Sequence, residues 1–358
     1  MKILYGVQTT GNGHISRSRE VIRELKKLGH EVQVILSGRP PAMQAEVQGF
    51  LPYQRLKGLT FCSHRGKLNY FKTAFSLNLL QFYRDIAAYD GSGADLVVTD
   101  FEPISARVAR RSSLPSIGVG HQYAFVHKIP MGGDTPLARL VIRKFAPADH
   151  AVGLHWHHFN RPILPPIVPQ RMTAGKTGIA DKILVYLPFE QLDDVLALLE
   201  PFDRYQMFIY HRLARSEDHG NIHFRPYSRN GFLKDLTECS GVISNAGFEL
   251  ASEAMHLGKK ILVKPLAGQM EQISNALALT SLKLGMTMQR LNSERVAQFL
   301  DLPAGVPIKF PNVARLIAEW IEAGHWEDVD GLAKLAWAQT VMPDRGWDRS
   351  AALDARFT

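Results

Sequence analysis

The sequence predicts an α/β protein of two domains, each a parallel sheet covered by helices. Three observations carry this. The chain has 358 residues, against roughly 100–200 for one domain. Its opening runs strand, glycine-rich turn, helix, strand, and the same alternation restarts in the second half. Between the two lies RPILPPIVP, Arg161 to Pro169, too rich in proline for a helix or a central strand. The expected organisation is a first domain over 1–160, a linker over 161–175, a second domain over 176–310 and a helical tail over 311–358.

The elements follow in order. Lys2 to Val7 is a short apolar strand, and Gln8 to His14 a loop containing Gly11 and Gly13. Ser16 to Leu28 carries Val21, Ile22, Leu25 and Leu28 at helical spacing, with Gly29 as its stop. Glu31 to Leu36 is the next strand. Asp95 to Val98 is a buried strand running to Asp100, followed by a helix over Ser105 to Arg111 and a strand over Ser116 to Val119. Beyond the linker come strands Lys182 to Leu187, Tyr205 to Tyr210, Gly241 to Ser244 and Lys260 to Lys264. Helices Leu192 to Leu199, Gly231 to Thr237 and Phe248 to Leu257 alternate with them, and Val313 to Ala323 is the tail helix.

Composition narrows the function. A 46% hydrophobic and 21% charged chain is globular in balance, and no apolar run reaches the ~18 residues a membrane span needs. The start lacks the apolar stretch of a cleavable leader. Two cysteines, Cys62 and Cys239, cannot frame a disulfide-rich fold or a four-cysteine zinc site. These features point to the cytoplasm. The net charge of +8 favours an anionic partner, but the basic residues are scattered in short groups, so nucleic acid is not expected.

Two glycine-rich loops stand out. TTGNGH, Thr9 to His14, joins the first strand to the first helix. A dinucleotide site would carry a third glycine at Ser16 and an acidic residue ending the second strand, and has neither here. The loop also lacks a Walker lysine. His14, at the carboxyl end of a parallel strand, faces the crevice where ligands gather and is a candidate general base; its bland alternative is a helix-start residue without chemistry. Asp100 ends LVVTD at the same sheet edge and could orient that histidine, or simply cap the helix after Pro103. His121 ends the next strand. In the second half, Ser244, Asn245, Ala246 and Gly247 lead into a helix start suited to a diphosphate. Glu249 and Glu253, four apart, share one face of that helix. The next strand ends at Lys264 and leads to Gly268, Gln269, Glu271, Gln272 and Asn275.

GNGH after the first strand, SNAGFELASEA, and the later GQMEQISNA together resemble the GT-B glycosyltransferases, over about 300 residues. The likeness is greatest to the branch, glycosyltransferase family 28, that contains the bacterial peptidoglycan-precursor N-acetylglucosaminyltransferase. The resemblance implies two Rossmann-like domains facing across a cleft, with a nucleotide sugar, UDP-sugar favoured, held mainly by the second. It implies inverting transfer without metal or cofactor. Carried over by position, Gly13, Arg171, Ser244, Asn245, Ala246 and Gly247 would surround the diphosphate and Glu253 the ribose. Gln269, Glu271 and Gln272 would meet the donor sugar, with Glu271 standing where that branch has a glutamine. His14, Asp100 and His121 would line the catalytic side. The first glycine run is shorter than in that branch, so its acceptor is not implied.

Other groups carry weaker signals. His155, His157 and His158 have a spacing that can bind zinc but no carboxylate or cysteine beside them, so no metal site is expected. Phe71, Phe75, Phe82 and Tyr83, with Leu77, Leu79 and Leu80, form a helix-like apolar stretch. Core packing is the default there, with an acceptor surface or peripheral contact with the inner face of a membrane as the alternative. A nucleotide-sugar 2-epimerase of the same fold and a non-catalytic sugar-nucleotide binder are the competing functions. Separation of Asp100 from His14 would favour the binder.

Overall fold

The computed structural model describes residues 1–38, 47–59, 63–64, 67–68, 78–133, 135–172 and 178–343. The first domain is built on β1 (Lys2–Gln8), β2 (Glu31–Ser37), β3 (Tyr53–Leu56), β6 (Leu96–Asp100), β7 (Ser116–Gly120), β8 (His150–Leu154) and β9 (Ile163–Leu164). A small antiparallel pair, β4 (Ser63–His64) and β5 (Lys67–Leu68), stands apart. The sheet order is β3-β2-β1-β6-β7-β8-β9, parallel throughout. Its helices are α1 (Asn12–Lys27), α2 (Leu79–Ala88), α3 (Pro103–Arg111) and α4 (Pro136–Phe145). Strands β6 and β7 are buried along their whole length, as strands covered on both faces by helices must be.

The second domain repeats the plan. Strands β10 (Ile179–Tyr186), β11 (Gln206–His211), β12 (Glu217–His219), β13 (Ile222–Pro226), β14 (Cys239–Asn245), β15 (Lys260–Lys264) and β16 (Met286–Thr287) run in the order β12-β13-β11-β10-β14-β15-β16. Only β12 is antiparallel to its neighbour. Helices α5 (Leu192–Leu199), α6 (Arg229–Glu238), α7 (Phe248–His256), α8 (Met270–Ser281) and α9 (Ser293–Leu300) cover it. In both sheets the first strand of the domain sits inside, with the chain moving outward first to one side and then to the other.

Three expectations change. The first helix begins at Asn12, not Ser16, because Gly11 is already extended at φ −143° and serves as the boundary residue. The proline-rich stretch is not all linker: Ile163 and Leu164 extend the first sheet as its edge strand, where proline neighbours are tolerated. The tail helices α10 (Val313–Ala323) and α11 (Val329–Ala338) do not stand apart. They return to the first domain, α10 against α1 and α11 against β9, where Trp337 Nε1 donates to Ile163 O at 2.7 Å. Ile317, Ile321 and Leu332 join Val21 and Leu25 in one core.

In the apolar stretch around α2, Phe82 is buried, while Leu79, Leu80 and Tyr83 are exposed. Phe71, Phe75 and Leu77 lie outside the described residues, as does Cys62. Among the described residues no helix is long and apolar enough to cross a membrane.

Candidate active site

The order in which strands are added reverses between β1 and β6 in the first sheet and between β10 and β14 in the second, each pair running parallel. Ligands of open α/β sheets bind outside the strand ends at such points. His14 lies in the first turn of α1, and Asp100 is the last residue of β6. The structure brings them together: His14 Nδ1 is 2.9 Å from Asp100 Oδ1. The competing role for Asp100 falls to its neighbour. Glu102 caps α3, accepting from the Ile104 and Ser105 amides. Between them Phe101 takes φ 49°, a left-handed conformation uncommon for a bulky residue. Its ring is held against Phe145 at 5.1 Å and Tyr123 at 5.6 Å. That bend turns Glu102 back to the helix and leaves Asp100 to the cleft.

Arg17, which the sequence reading passed over, completes the group. It is fully buried, donates from Nε to Asp100 Oδ2 at 2.8 Å and from Nη2 to Asp100 Oδ1 at 2.5 Å. Ser18 Oγ adds a third donor at 2.7 Å. Burial works against a charge on Asp100, but Arg17 and His14 outweigh it and hold the carboxyl below its usual range. The signal was available: residues three apart on a helix share a face, so Arg17 accompanies His14 wherever His14 points.

The second domain supplies the facing wall. Gly247 is the boundary residue of α7, with no side-chain cap and open space where a side chain would begin. Seven of the described α-helices start with a side chain accepting from their first-turn amides. The four that do not, α1, α5, α7 and α8, follow the central strands β1, β10, β14 and β15. Uncapped first turns aimed at a cleft are places for an anion. Ser244, Asn245 and Ala246 are buried. Asn245 Nδ2 ties the loop to Lys264 O at 3.1 Å and to Glu190 Oε1 at 3.3 Å, so these three shape the loop while Gly247 opens it.

The two walls touch. Glu249, in the first turn of α7, forms an ion pair with Arg17 Nη1. Its carboxylate also occupies the space where a side chain at Gly13 would sit. Ser16 Oγ lies 3.4 Å from Glu253 Oε1. Burial pushes the Glu253 carboxyl up to about 7; Arg229 opposes this, Glu249 adds to it, and Ser16 and Arg171 oppose it more weakly. Arg171 is therefore within electrostatic reach of Glu253, from an exposed position beside Asn230 and Lys234 of α6.

The remaining predicted residues divide. Glu271 reaches across to accept from Gln122 Nε2 at 3.0 Å. Gln272 Oε1 accepts from the Leu266 amide at 2.8 Å and so fixes the turn before α8, of which Gln269 is the boundary residue. His121 is corrected: it offers no free ring nitrogen. It is fully buried, stacked on Phe248 at 3.9 Å, with Nδ1 2.8 Å from Leu154 O and Nε2 2.7 Å from Asn275 Oδ1. Asn275 in turn donates to Ala246 O at 2.9 Å, so His121 joins the first domain to the Ser244–Gly247 loop. His157 and His158 accept the Phe159 and Asn160 amides, turning the chain after β8, while His155 packs among Trp156, Phe159 and Phe248.

The glycosyl transferase family 1 model matches residues 1–303. A search of curated proteins gives no match. Among solved structures, a kitacinnamycin glycotransferase superposes with a TM-score of 0.59 at 15% identity, covering 94% of this chain and 97% of that one. The spinosyn rhamnosyltransferase SpnG gives 0.58 at 14%, covering 94% and 99%. SnogD, a glycosyltransferase from Streptomyces nogalater, gives 0.55 at 17%, with the same coverage. The fold is thus GT-B, as the sequence motifs suggested, and the chain belongs to glycosyl transferase family 1, an enzyme that transfers sugar.

Proposed function

We propose that this enzyme moves a sugar, with inversion, from a nucleoside-diphosphate sugar to an acceptor hydroxyl bound on the first-domain side of the cleft. The observation that carries the reading is the His14–Asp100 contact of 2.9 Å at the β1–β6 switch point. Asp100 holds the ring through Nδ1, leaving Nε2 to take the acceptor's proton as the sugar carbon is attacked. A sugar-nucleotide binder would have no use for that pair, and an epimerase would need no acceptor. The departing diphosphate meets the first-turn amides of α7 and the positive charge of Arg171. The Glu253 carboxylate accepts the ribose hydroxyls, and Gln269, Glu271 and Gln272 surround the donor sugar. The α7 amides and Arg171 supply the positive potential a metal would otherwise bring, so we propose metal-independent transfer.

A uridine donor is favoured. The SpnG rhamnosyltransferase, of the same fold, was solved with thymidine diphosphate and with spinosyn aglycone, so thymidine diphosphate sugars belong in the same trial. Incubating the enzyme with such donors and a panel of glycan, lipid-linked and aglycone hydroxyls should release nucleoside diphosphate at a rate unchanged by chelator. A rate abolished by chelator and restored by divalent cation would contradict the metal-independent part.

The acceptor is further proposed to lie at a membrane surface on the cytoplasmic side. On α4, Leu137 and Leu140 are exposed at 61% and 54%, with Arg143 and Lys144 in its last turn. Exposed leucines beside cations suit anionic lipid. Sedimentation with phosphatidylglycerol vesicles should be lost in Leu137→Glu/Leu140→Glu; equal binding by parent and variant would dismiss the membrane contact.

A further inference from the structure

The contact between Arg17 and Glu249 crosses the cleft where the donor's phosphates are proposed to lie. The guanidinium is divided between two carboxylates. Its Nε and Nη2 edge is committed to Asp100 at 2.8 and 2.5 Å, inside the first domain. Nη1 points outward and is held by Glu249 of the second domain. Planar, always charged and five-donor, arginine can keep one carboxylate on one edge while exchanging the partner on the other.

The surroundings of Glu249 suit a phosphate at least as well as a carboxylate. Its carboxylate sits between the uncapped first turns of α1 and α7. It lies against Gly13, in the space any side chain there would need, and Gly247 has open space beside it. Three carboxylates, Asp100, Glu249 and Glu271, already act on one buried guanidinium. A diphosphate adding two further negative charges could not settle beside Glu249 without strong repulsion. Glu249 has a way out: its side chain is 16% exposed at the rim, whereas those of Arg17 and Asp100 are at 2% and 1%.

We propose that Glu249 is an internal stand-in for the donor phosphate. It holds the outward edge of Arg17 in the unliganded protein and gives way to the nucleoside diphosphate, making Arg17 a ligand of the leaving group. The exchange spares Arg17 an unpaired charge in the absence of donor, which would be costly when buried. It also ties the base side of the cleft to donor occupancy, because the same guanidinium orients Asp100. The inference rests on the reading of the Ser244–Gly247 loop as the donor site.

Calorimetric titration with uridine and thymidine diphosphates tests it on the full chain. Glu249→Gln removes the competing charge and should bind nucleoside diphosphate on the order of tenfold more tightly than the parent, while melting at a lower temperature without ligand. In an Arg17→Lys background, where the forked contact is gone, the same substitution should gain little. Glu249→Asp, too short to span the gap, should also bind more tightly, which keeps the test independent of Arg17→Lys folding. Unchanged or weaker binding by Glu249→Gln would overturn the stand-in role, since a merely structural ion pair predicts loss of both stability and affinity. A gain that persists fully in Arg17→Lys would overturn the part given to Arg17. Failure of the parent to bind either nucleotide would instead strike the donor reading itself.

Discussion

His14 and Asp100 were legible as a pair because His14 closely follows β1 and Asp100 ends its parallel neighbour β6, and strand ends in such sheets share an edge. Arg17 was not, since a single arginine on a helix usually lies on its solvated face. Yet its place three residues after His14 put it on the same helix face, and the structure shows Asp100 and Glu249 converging on it. His121 was misread for the opposite reason: a strand-end histidine looks available until Asn275 and the Leu154 carbonyl are found on its two nitrogens. With His14 as the base, His14→Ala should lose on the order of 100-fold or more in turnover. Asp100→Asn should lose activity too, and stability with it, because Arg17 loses its buried counter-charge. Near-normal single-turnover transfer by His14→Ala, measured by rapid quench, would remove it from the chemistry. Glu253 brings a pH dependence. Its carboxyl, raised to about 7 by burial in the folded protein, favours folding when protonated. That contribution is full below about pH 4.5 and fades as pH rises through 7. From pH 6 to 8 the parent should therefore lose about 1 kcal/mol relative to Glu253→Gln in chemical denaturation, while its affinity for nucleotide rises as the carboxylate ionises. A constant stability difference across that range would count against the buried, ionising carboxyl.

Each βαβ unit could be read from the sequence because apolar strands, glycine stops and helical spacing coincide there. The elements that were missed have weaker marks. In α4 no more than Ile142 is buried, so its apolar spacing points outward, and β9 spans two residues inside a proline-rich run. Helix starts carried information the motifs alone did not. The helices following β1, β10, β14 and β15 lack side-chain caps, leaving their amides to a ligand. Gly247→Ser tests this directly. The backbone at 247, φ −75° and ψ 142°, accepts any residue, and space is open there. A serine should cap α7 with a stability change within about 0.5 kcal/mol, yet compete with the diphosphate for the same amides and weaken nucleotide binding by roughly tenfold. Unaltered affinity in a calorimetric titration would mean that these amides do not hold the phosphates.

At the scale of the molecule, two sheets of the same plan present their switch points to one another, and the tail closes the arrangement by packing α10 and α11 on the first domain. That return was not legible, because an amphipathic helix does not announce which surface it covers. The domains are joined across the cleft by Arg17–Glu249, Gln122–Glu271, His121–Asn275 and Trp156–Ser252. The proposed division of labour follows this placement, giving the base to the first domain and the donor to the second. Titration calorimetry of uridine diphosphate with parent, His14→Ala and Glu253→Gln measures that division most directly. The expected result is equal affinity for parent and His14→Ala, with binding weakened about tenfold or more in Glu253→Gln. Equal affinity for Glu253→Gln and the parent, or binding lost in His14→Ala instead, would contradict it.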